Sequence, residues 1–362
     1  MRVVIAGGGT GGHLFPGIAV ARALRARVPG ARISFAGTAA GIEARVIPTT
    51  EFELDLIRSG GLKGKSVGAL TRGLALLPLS GVDAWRLISR RRPDLVIGVG
   101  GYSSGPVVAV ALARGIPALL MEQNALPGIT NRLLAPFVHS AAVTYEASLA
   151  HFGKKAFVSG NPIRQEFLNV DDTAVHAPRA GVLIVGGSQG AHAINVAVAQ
   201  AAPRLAGTSH AQAVSIVCQT GLRDFDMVNE AFQRNGVQGR VERFIDAMDR
   251  EVMQAGLIVS RAGATTLAEI TAAGRPSILI PLPTAADDHQ RKNAEALKAA
   301  GAADVIDQKD LTGELLAQRI LELAGDREKR QRMGAAARRL AKPDAAERIV
   351  DAIVKLAGRP AS

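Results

Sequence analysis

Residues 3–16 read VVIAGGGTGGHLFP, and this stretch decides the fold. An apolar run is interrupted by glycines and is followed by a helix-compatible segment over 18–28, which predicts a strand, a turn and a helix. Glycine lets backbone amides approach a ligand closely, and the N-terminus of the following helix adds partial positive charge. The turn is therefore suited to a phosphate group, and His13 is its most reactive side chain.

The same turn contains the G-x-G-x-x-G pattern of dinucleotide-binding proteins at Gly7, Gly9 and Gly12. A nicotinamide dinucleotide also needs an acidic residue about 20 positions further on, at the end of the second strand, to hold its ribose. The second predicted strand, 32–36, is followed by glycine and threonine instead. The sequence thus argues against a nicotinamide-dependent oxidoreductase.

The glycine-rich turn occurs twice. Residues 182–192 read VLIVGGSQGAH and align with residues 3–13 without a gap. The identical pairs are Val3 and Val182, Ile5 and Ile184, Gly7 and Gly186, Gly8 and Gly187, Gly11 and Gly190, and His13 and His192. Because apolar runs also alternate with helical segments, the repeat predicts an α/β protein of two Rossmann-like domains with mostly parallel sheets. Two such sheets facing each other across a cleft would suit a donor on one side and an acceptor on the other.

Composition narrows the classes of partner. The chain has 362 residues, a length that suggests about two domains, and a net charge of +11, which implies attraction to something anionic. Aromatic residues make up 4% and no nucleic-acid-binding motif occurs, so we expect no nucleic acid partner. The single cysteine, Cys218, favours a reducing compartment, and Met1 leads into the first strand without a secretory signal.

The segment 58–92 is both basic and apolar. Its basic residues are Arg58, Lys63, Lys65, Arg72, Arg86, Arg90, Arg91 and Arg92, against Asp83 as its single acid. Leucines, valines and Trp85 are interleaved with them. This composition is typical of a surface that lies on an anionic bilayer, and equally of a core-packed helix with a solvated basic face.

Polar and glycine-rich turns follow other predicted strands, where α/β sheets place ligands. Strand 94–99 leads into a third glycine-rich turn, 100–105, with Pro106 at the expected start of a helix. Strand 117–121 ends in Glu122, Gln123 and Asn124.

In the second half, strand 257–260 is followed by small residues and a helix that carries Glu269. Backbone amides there could meet a diphosphate while the acid accepts hydrogen bonds from a ribose. Asp287 and Asp288 precede a helix, which favours capping charges over a metal site. We expect the basic cluster 327–342 to be a solvated helix face.

Six motifs stand in a specific order and spacing. They are GGGTGGHLFPG, GGYSSGP, EQN, GNPIR, GGSQGA and SRAGATTLAE. Together they resemble the MurG family of bacterial cell-wall N-acetylglucosaminyltransferases, which are GT-B glycosyltransferases. The resemblance implies an acceptor and membrane-side domain at 1–163, completed by a returning C-terminal helix in 344–362, and a UDP-sugar-binding domain at 164–343.

The implied reaction is an inverting transfer of N-acetylglucosamine from its UDP donor to the 4-hydroxyl of undecaprenyl-pyrophosphoryl-N-acetylmuramyl-pentapeptide. The enzyme would work as a peripheral protein at the cytoplasmic face of the inner membrane. The basic and apolar segment falls where the family meets the bilayer, which favours the membrane interpretation of that segment.

The resemblance also assigns residues. The implied donor contacts are Thr10, Gly11, Gly12, Asn124, Arg164, Ser188, Gln189, Gly190, Ile245, Ala264, Thr265, Thr266, Leu267, Ala268, Glu269 and Gln290. The implied acceptor-diphosphate contacts are Gly9, Tyr102, Ser103, Ser104 and Gly105. Within the donor set, Ser188 suits the diphosphate, Glu269 the ribose and the backbone at Ile245 the uracil.

An inverting transfer needs one base for the acceptor hydroxyl and a site that stabilises UDP as it leaves. His13 is the expected base, because imidazole titrates near physiological pH. Glu122 is the alternative base or the partner that orients one. Helix N-termini and backbone amides can meet the leaving-group charge, so we expect no metal and no cofactor.

Two alternatives remain besides the oxidoreductase. Another GT-B transferase that glycosylates a membrane lipid would share the fold and the UDP site. A non-catalytic protein that binds a UDP-sugar or a membrane would keep Glu269 without any chemistry at His13 or Glu122.

Overall fold

Two parallel sheets organise the protein, one in each of two units. The structure is a computed structural model that describes residues 1–60, 76–168, 173–187, 189–207, 214–285 and 288–358. One unit comprises Met1–Arg164 and Lys342–Ser362, and the other comprises Gln165–Ala341. The prediction of an α/β protein with two Rossmann-like domains is confirmed.

The first unit contains a parallel sheet of seven strands among its described residues. The strands are β1 (Arg2–Gly7), β2 (Arg32–Gly37), β3 (Glu53–Leu56), β4 (Leu95–Gly100), β5 (Ala118–Glu122), β6 (Ser140–Val143) and β7 (Ala156–Val158). Their order across the sheet is β3-β2-β1-β4-β5-β6-β7. Every residue of β4 and β5 is buried, as expected of parallel strands that are covered on both faces.

Helices cover both faces of this sheet. They are α1 (Gly11–Arg27), α2 (Glu43–Val46), α3 (Leu77–Arg91), α4 (Ser104–Ala113) and α5 (Ile129–Leu134), with short 3-10 helices at Ile47–Thr49, Glu146–His151 and Gly153–Lys155. Side chains alternate along β1, so Val3 and Ile5 join the core on the α1 face. Val4 and Ala6 join the core beneath α3, α4 and α5.

The second unit repeats this plan with a parallel sheet of six strands, counted over the residues described for it. The strands are β8 (Val182–Val185), β9 (Ile216–Gln219), β10 (Gly239–Glu242), β11 (Leu257–Ser260), β12 (Ser277–Leu279) and β13 (Ala303–Val305), in the order β10-β9-β8-β11-β12-β13. The helices are α6 (Thr173–His176), α7 (His192–Leu205), α8 (Phe225–Asn235), α9 (Met248–Gln254), α10 (Ala264–Ala272), α11 (His289–Ala299), α12 (Gly313–Gly325) and α13 (Arg327–Leu340), with 3-10 turns at Gln165–Leu168 and Gln308–Asp310. The two related turns follow interior strands of their sheets, β1 and β8.

The last described helix is α14 (Ala345–Leu356), which belongs to the first unit. Ile349, Val350, Ile353 and Val354 are buried and join the same core as α1. Their spacing places them on one stripe of the helix. Burial of this stripe holds the returning chain on the first sheet.

Helix α1 begins earlier than its sequence predicts. It starts at Gly11, not Ile18, and contains Pro16. Glycine and proline are poor helix formers, so helix propensity predicts that α1 starts after its glycines and Pro16. Proline at this position removes one bond near the helix start, and the turn supplies others, because the amides of His13 and Leu14 donate to the carbonyl of Thr10. Pro106 is likewise the third residue of α4, not the first.

The basic helix α13 is not a purely solvated face, and the expectation is wrong at Arg330. This side chain is completely buried, and its guanidinium donates to the carbonyls of Leu323, Ala324 and Ala177. Burial lowers the pKa of Arg330. Backbone carbonyls thus allow a cation to replace an apolar residue in the core.

Candidate active site

Three loops of the first unit leave the sheet at its carboxyl edge, after β1, β4 and β5. The turns after β1 and β4 are packed directly against each other. A Cβ atom on Gly7 would lie 2.3 Å from the carbonyl oxygen of Gly100, and one on Gly101 would lie 2.5 Å from that of Gly8. These contacts admit only glycine, so the sequence pattern fixes how closely the two turns approach each other.

His13 lies where these two turns meet. Its Nδ1 is 3.1 Å from the hydroxyl oxygen of Thr10. A Cβ atom on Gly100 would lie 2.7 Å from Cδ2 of the His13 ring and 3.0 Å from Nε2, so the ring packs against that glycine. The imidazole is therefore held by its neighbours while remaining partly exposed.

Glu122 is buried and organises its own loop. Its carboxylate accepts hydrogen bonds from the amide nitrogens of Asn124 at 2.9 Å and Gly128 at 3.0 Å, and from the Asn131 side chain at 2.8 Å. Burial raises the pKa of Glu122, while these hydrogen bonds oppose the shift. Both oxygens thus face donors of the 122–131 loop, and the side chain positions Asn124.

Arg164 reaches the first turn through an aromatic ring. Its guanidinium carbon lies 5.2 Å from the centre of the Phe15 ring, within the range of a cation–π interaction. A Cβ atom on Gly11 would lie 3.0 Å from the same ring. The structure therefore brings Arg164 close to the turn residues Thr10 to Gly12. All of these residues are among the predicted donor contacts.

The predicted acceptor-diphosphate residues differ in how accessible they are to a ligand. Tyr102 is exposed, whereas the side chains of Ser103 and Ser104 are buried at the start of α4. Gly105 is the second residue of that helix. The amide nitrogen of Gly9 is already bonded to a carboxylate. Backbone groups and Tyr102, not serine hydroxyls, are what this turn can offer a ligand.

The carboxylate that accepts the Gly9 amide belongs to Glu43, a residue that sequence reasoning missed. Glu43 is 1% exposed, and its oxygens accept from the amide nitrogens of Gly9 and Thr38, each at 2.7 Å. The Thr38 hydroxyl adds a third bond at 3.1 Å. Cβ atoms on Gly8 and Gly41 would lie 2.4 and 2.2 Å from the carboxylate oxygens of Glu43. Only glycines at these two positions leave space for the carboxylate.

The glycine-rich turn of the second unit is built in a related way. A Cβ atom on Gly190 would lie 1.8 Å from the carbonyl oxygen of Thr220, and one on Gly221 would lie 2.1 Å from that of Gln189. Gln219, also missed, donates to the Gly187 carbonyl at 2.9 Å and accepts from the Ile245 amide at 2.8 Å. Ser188 lies outside the described residues.

The other predicted donor contacts lie at the same carboxyl edge, after β11 and β12. Helix α10 begins directly after Gly263 with no side-chain cap. Thr266, Ala268 and Glu269 are partly exposed, whereas Ala264, Thr265 and Leu267 are buried. Gln290 accepts a hydrogen bond from the Leu282 amide at 3.0 Å.

Of the predicted acid pair, Asp288 makes no side-chain cap bond to α11. Asp288 precedes that helix in a left-handed conformation, and its carboxylate approaches Arg291 at 3.8 Å. Asp287 lies outside the described residues. Across the part of the chain that the structure describes, no group of three His, Cys, Asp or Glu residues could hold a metal ion.

Helix α3 has two apolar faces. Ala84, Leu87 and Ile88 are buried on the sheet, whereas Leu79 and Trp85 are 41% and 53% exposed. Val82 and Arg86 are also exposed, and the Arg114 guanidinium lies 4.8 Å from the centre of the Trp85 ring. None of the described helices is both long and apolar enough to cross a membrane.

Several of the basic residues near this helix are tied to carboxylates. Arg90 and Arg91 both donate to Asp55. Hydrogen bonds from Arg58 lower the pKa of Asp83 to about 2. Lys63, Lys65 and Arg72 lie outside the described residues. Pairing thus reduces the positive charge that this region offers to a partner.

Replacement of Glu43 should destabilise the first unit. Glu43→Ala leaves two amides without a buried acceptor, so we expect the free energy of unfolding to fall by about 3 kcal/mol. Glu43→Gln should lose less, because one side-chain oxygen remains. Denaturant unfolding followed by the fluorescence of Trp85, the only tryptophan, measures this in the same unit. Glu51→Gln is the control, since its carboxylate lies in partly exposed ion pairs worth at most about 1 kcal/mol. Equal effects of the Glu43 and Glu51 changes would contradict the role of Glu43 as the buried acceptor of these amides.

Comparison with known proteins places the chain in a family. Residues 3–143 match the glycosyltransferase family 28 N-terminal domain, and residues 181–349 match its C-terminal domain. The UDP-N-acetylglucosamine--N-acetylmuramyl-(pentapeptide) pyrophosphoryl-undecaprenol N-acetylglucosamine transferase of Anaeromyxobacter sp. is 46% identical over 99% of this chain and 94% of its own length. The enzyme of the same name from Myxococcus xanthus is 44% identical over 98% and 93%. The crystal structure of Acinetobacter baumannii MurG superimposes with a TM-score of 0.76 at 30% identity, covering 98% of this chain and 99% of that one. The chain therefore belongs to glycosyltransferase family 28 and, within it, to the MurG family.

Proposed function

We propose that the protein transfers N-acetylglucosamine from UDP-N-acetylglucosamine to undecaprenyl-pyrophosphoryl-N-acetylmuramyl-pentapeptide. The relatives named for this reaction match the chain over nearly its full length. The structural observation that carries the proposal is the pair of related glycine turns, one at the carboxyl edge of each sheet. Two substrates that each carry a diphosphate account for two such turns.

The second unit binds the donor in this proposal. The 188–190 turn and the N-terminus of α10 would face the diphosphate, because helix N-termini attract anions. Glu269 would accept hydrogen bonds from the ribose. The amide of Ile245 is bonded to Gln219, so its carbonyl is the backbone group that would recognise the uracil.

The first unit binds the acceptor diphosphate. The amide of Gly9 is occupied by Glu43, so we expect the anion at the rest of the 9–12 turn and at the turn that contains Tyr102. Asn124 and Arg164 lie at the same edge as His13 and would contact the sugar donor during transfer. Glu122 then acts through Asn124 and not on substrate.

His13 is the general base of the proposed reaction. It would take the proton of the acceptor 4-hydroxyl as that oxygen bonds to the anomeric carbon of N-acetylglucosamine. The bond from this carbon to the donor diphosphate breaks, the configuration inverts, and UDP leaves with both electrons. The amides at the N-termini of α7 and α10 would stabilise the charge on UDP, so neither a metal nor a cofactor enters the proposal.

The protein would work at the cytoplasmic face of the inner membrane, held there by the exposed side chains of α3. Leu79, Val82 and Trp85 would enter the interface of an anionic bilayer, with Arg86 beside the headgroups. The acceptor is itself lipid-linked, so attachment to the bilayer keeps enzyme and acceptor together.

UDP release tests the function. We expect release from UDP-N-acetylglucosamine to depend on a short-chain analogue of the lipid-linked muramyl-pentapeptide and to persist in the presence of a chelator. Release with a membrane lipid that lacks a diphosphate, but not with the analogue, would instead favour the other class of GT-B transferase. Binding of UDP without release in either case would contradict a transferase.

His13→Ala should lower turnover by roughly 10²- to 10⁴-fold while UDP binding is retained, because only the proton transfer loses its base. Steady-state kinetics and calorimetric titration with UDP measure the two properties. His151→Ala is the control, since His151 is an exposed histidine of the same unit. An unchanged turnover would remove His13 as the base.

The double change Leu79→Ser and Trp85→Ser should weaken binding to anionic phosphatidylglycerol vesicles. Each half-exposed side chain contributes about 1 kcal/mol on burial in the interface, so we expect a loss of roughly thirtyfold. Vesicle co-sedimentation measures it. Leu222→Ser removes a more exposed leucine from the second unit and should change nothing. Unaltered vesicle binding of the double variant would place the membrane surface elsewhere.

A further inference from the structure

His192 opens helix α7 directly after the second glycine turn, and a carboxylate holds its ring. Its Nδ1 lies 2.9 Å from an oxygen of Asp224. The other oxygen of Asp224 accepts a hydrogen bond from the Asn195 side chain at 2.9 Å. Asn195 in turn donates to the carbonyl of Thr220 at the same distance. The imidazole is therefore fixed by a chain of bonds that ends on the backbone.

Asp224 is placed to serve this histidine. It is buried and occupies the N-cap position of α8, yet its side chain makes no cap bond there. Burial opposes its ionisation, but the hydrogen bonds of Asn195 and His192 and the charge of Arg223 outweigh burial and lower the pKa of Asp224. An ionised carboxylate that could have capped its own helix is instead directed at a ring on another helix.

His192 itself is 53% exposed, in contrast to the carboxylate behind it. In its protonated form the ring has two N–H donors, so Nδ1 can donate to Asp224 while Nε2 donates outward. A charged donor beside backbone amides at the start of a 14-residue helix is suited to phosphate oxygens.

We propose that His192, oriented by Asp224, donates from Nε2 to the diphosphate of the nucleotide-sugar donor. The proposal rests on the proposed function, because it assigns the ligand of the second glycine turn. It adds a residue of this chain to that subsite and gives Asp224 a positioning role.

The histidines of the two related turns have different partners. His13 and His192 occupy matching positions in the repeat. His13 contacts the neutral hydroxyl of Thr10, whereas His192 forms an ion pair with Asp224 when it is protonated. A phosphate ligand must donate a hydrogen bond, and the contact between Nδ1 and Asp224 leaves Nε2 of the protonated ring able to do so.

Calorimetric titration with UDP and with uridine tests the proposal on the full-length protein. Uridine keeps the base and ribose but lacks the diphosphate. We expect His192→Ala to weaken UDP binding by about tenfold or more and to leave uridine binding within about twofold. His192→Arg should restore most of the UDP affinity, because it returns a cationic donor. His176→Ala is the control, since it removes an exposed histidine of the same unit.

Equal losses of UDP and uridine affinity in His192→Ala would overturn the proposal, because they would indicate a structural role. Unchanged binding of both ligands would overturn it as well. If the unaltered protein bound neither ligand, the donor assignment under the proposed function would fail first, and this inference with it. Binding by the unaltered protein therefore tests the donor assignment, and the ratio of UDP to uridine affinity in His192→Ala tests this inference.

Discussion

Backbone contact between glycine turns is the constraint on which the candidate site depends. In the first unit the turns after β1 and β4 touch through Gly7 and Gly100 and through Gly8 and Gly101, with no space for a Cβ atom. The ring of His13 packs on Gly100, so its position follows from this contact. The second unit also has a backbone contact of this kind, between Gly190 and Thr220, but it joins the turns after β8 and β9. A side chain at any of these glycines would separate the turns and move the groups that they carry.

Each turn is also supported from behind by a polar side chain, with different consequences. Glu43 accepts the amide of Gly9, and an N–H bonded to a carboxylate cannot also bind an anion. Gln219 instead donates to the carbonyl of Gly187 and consumes no amide of its turn. The amide of Gly190 is bonded to that same carbonyl, so each turn has an amide that is already bonded within the protein.

Much of the fold could be predicted because parallel strands covered on both faces are apolar runs. Strand β11 has the bounds that the sequence suggests. The start of α1 could not be predicted, since glycine and proline disfavour a helix that the turn nevertheless begins. Buried charges were missed for a different reason. Arg330 and Glu43 are stabilised by backbone groups from separate segments, and no local pattern reveals such partners.

The same limitation applies to the surface of α3, where counting charges in the sequence overstates what is available. Arg90 and Arg91 serve Asp55 at the sheet edge, so they hold α3 in place and contribute little free charge. The apolar residues do not depend on partners in this way. Residues 79, 82 and 85 recur at a spacing of about one helical turn, opposite the buried face of the helix. Attachment to a bilayer would then depend mainly on apolar burial, which salt does not screen, and less on the net charge that first suggested it.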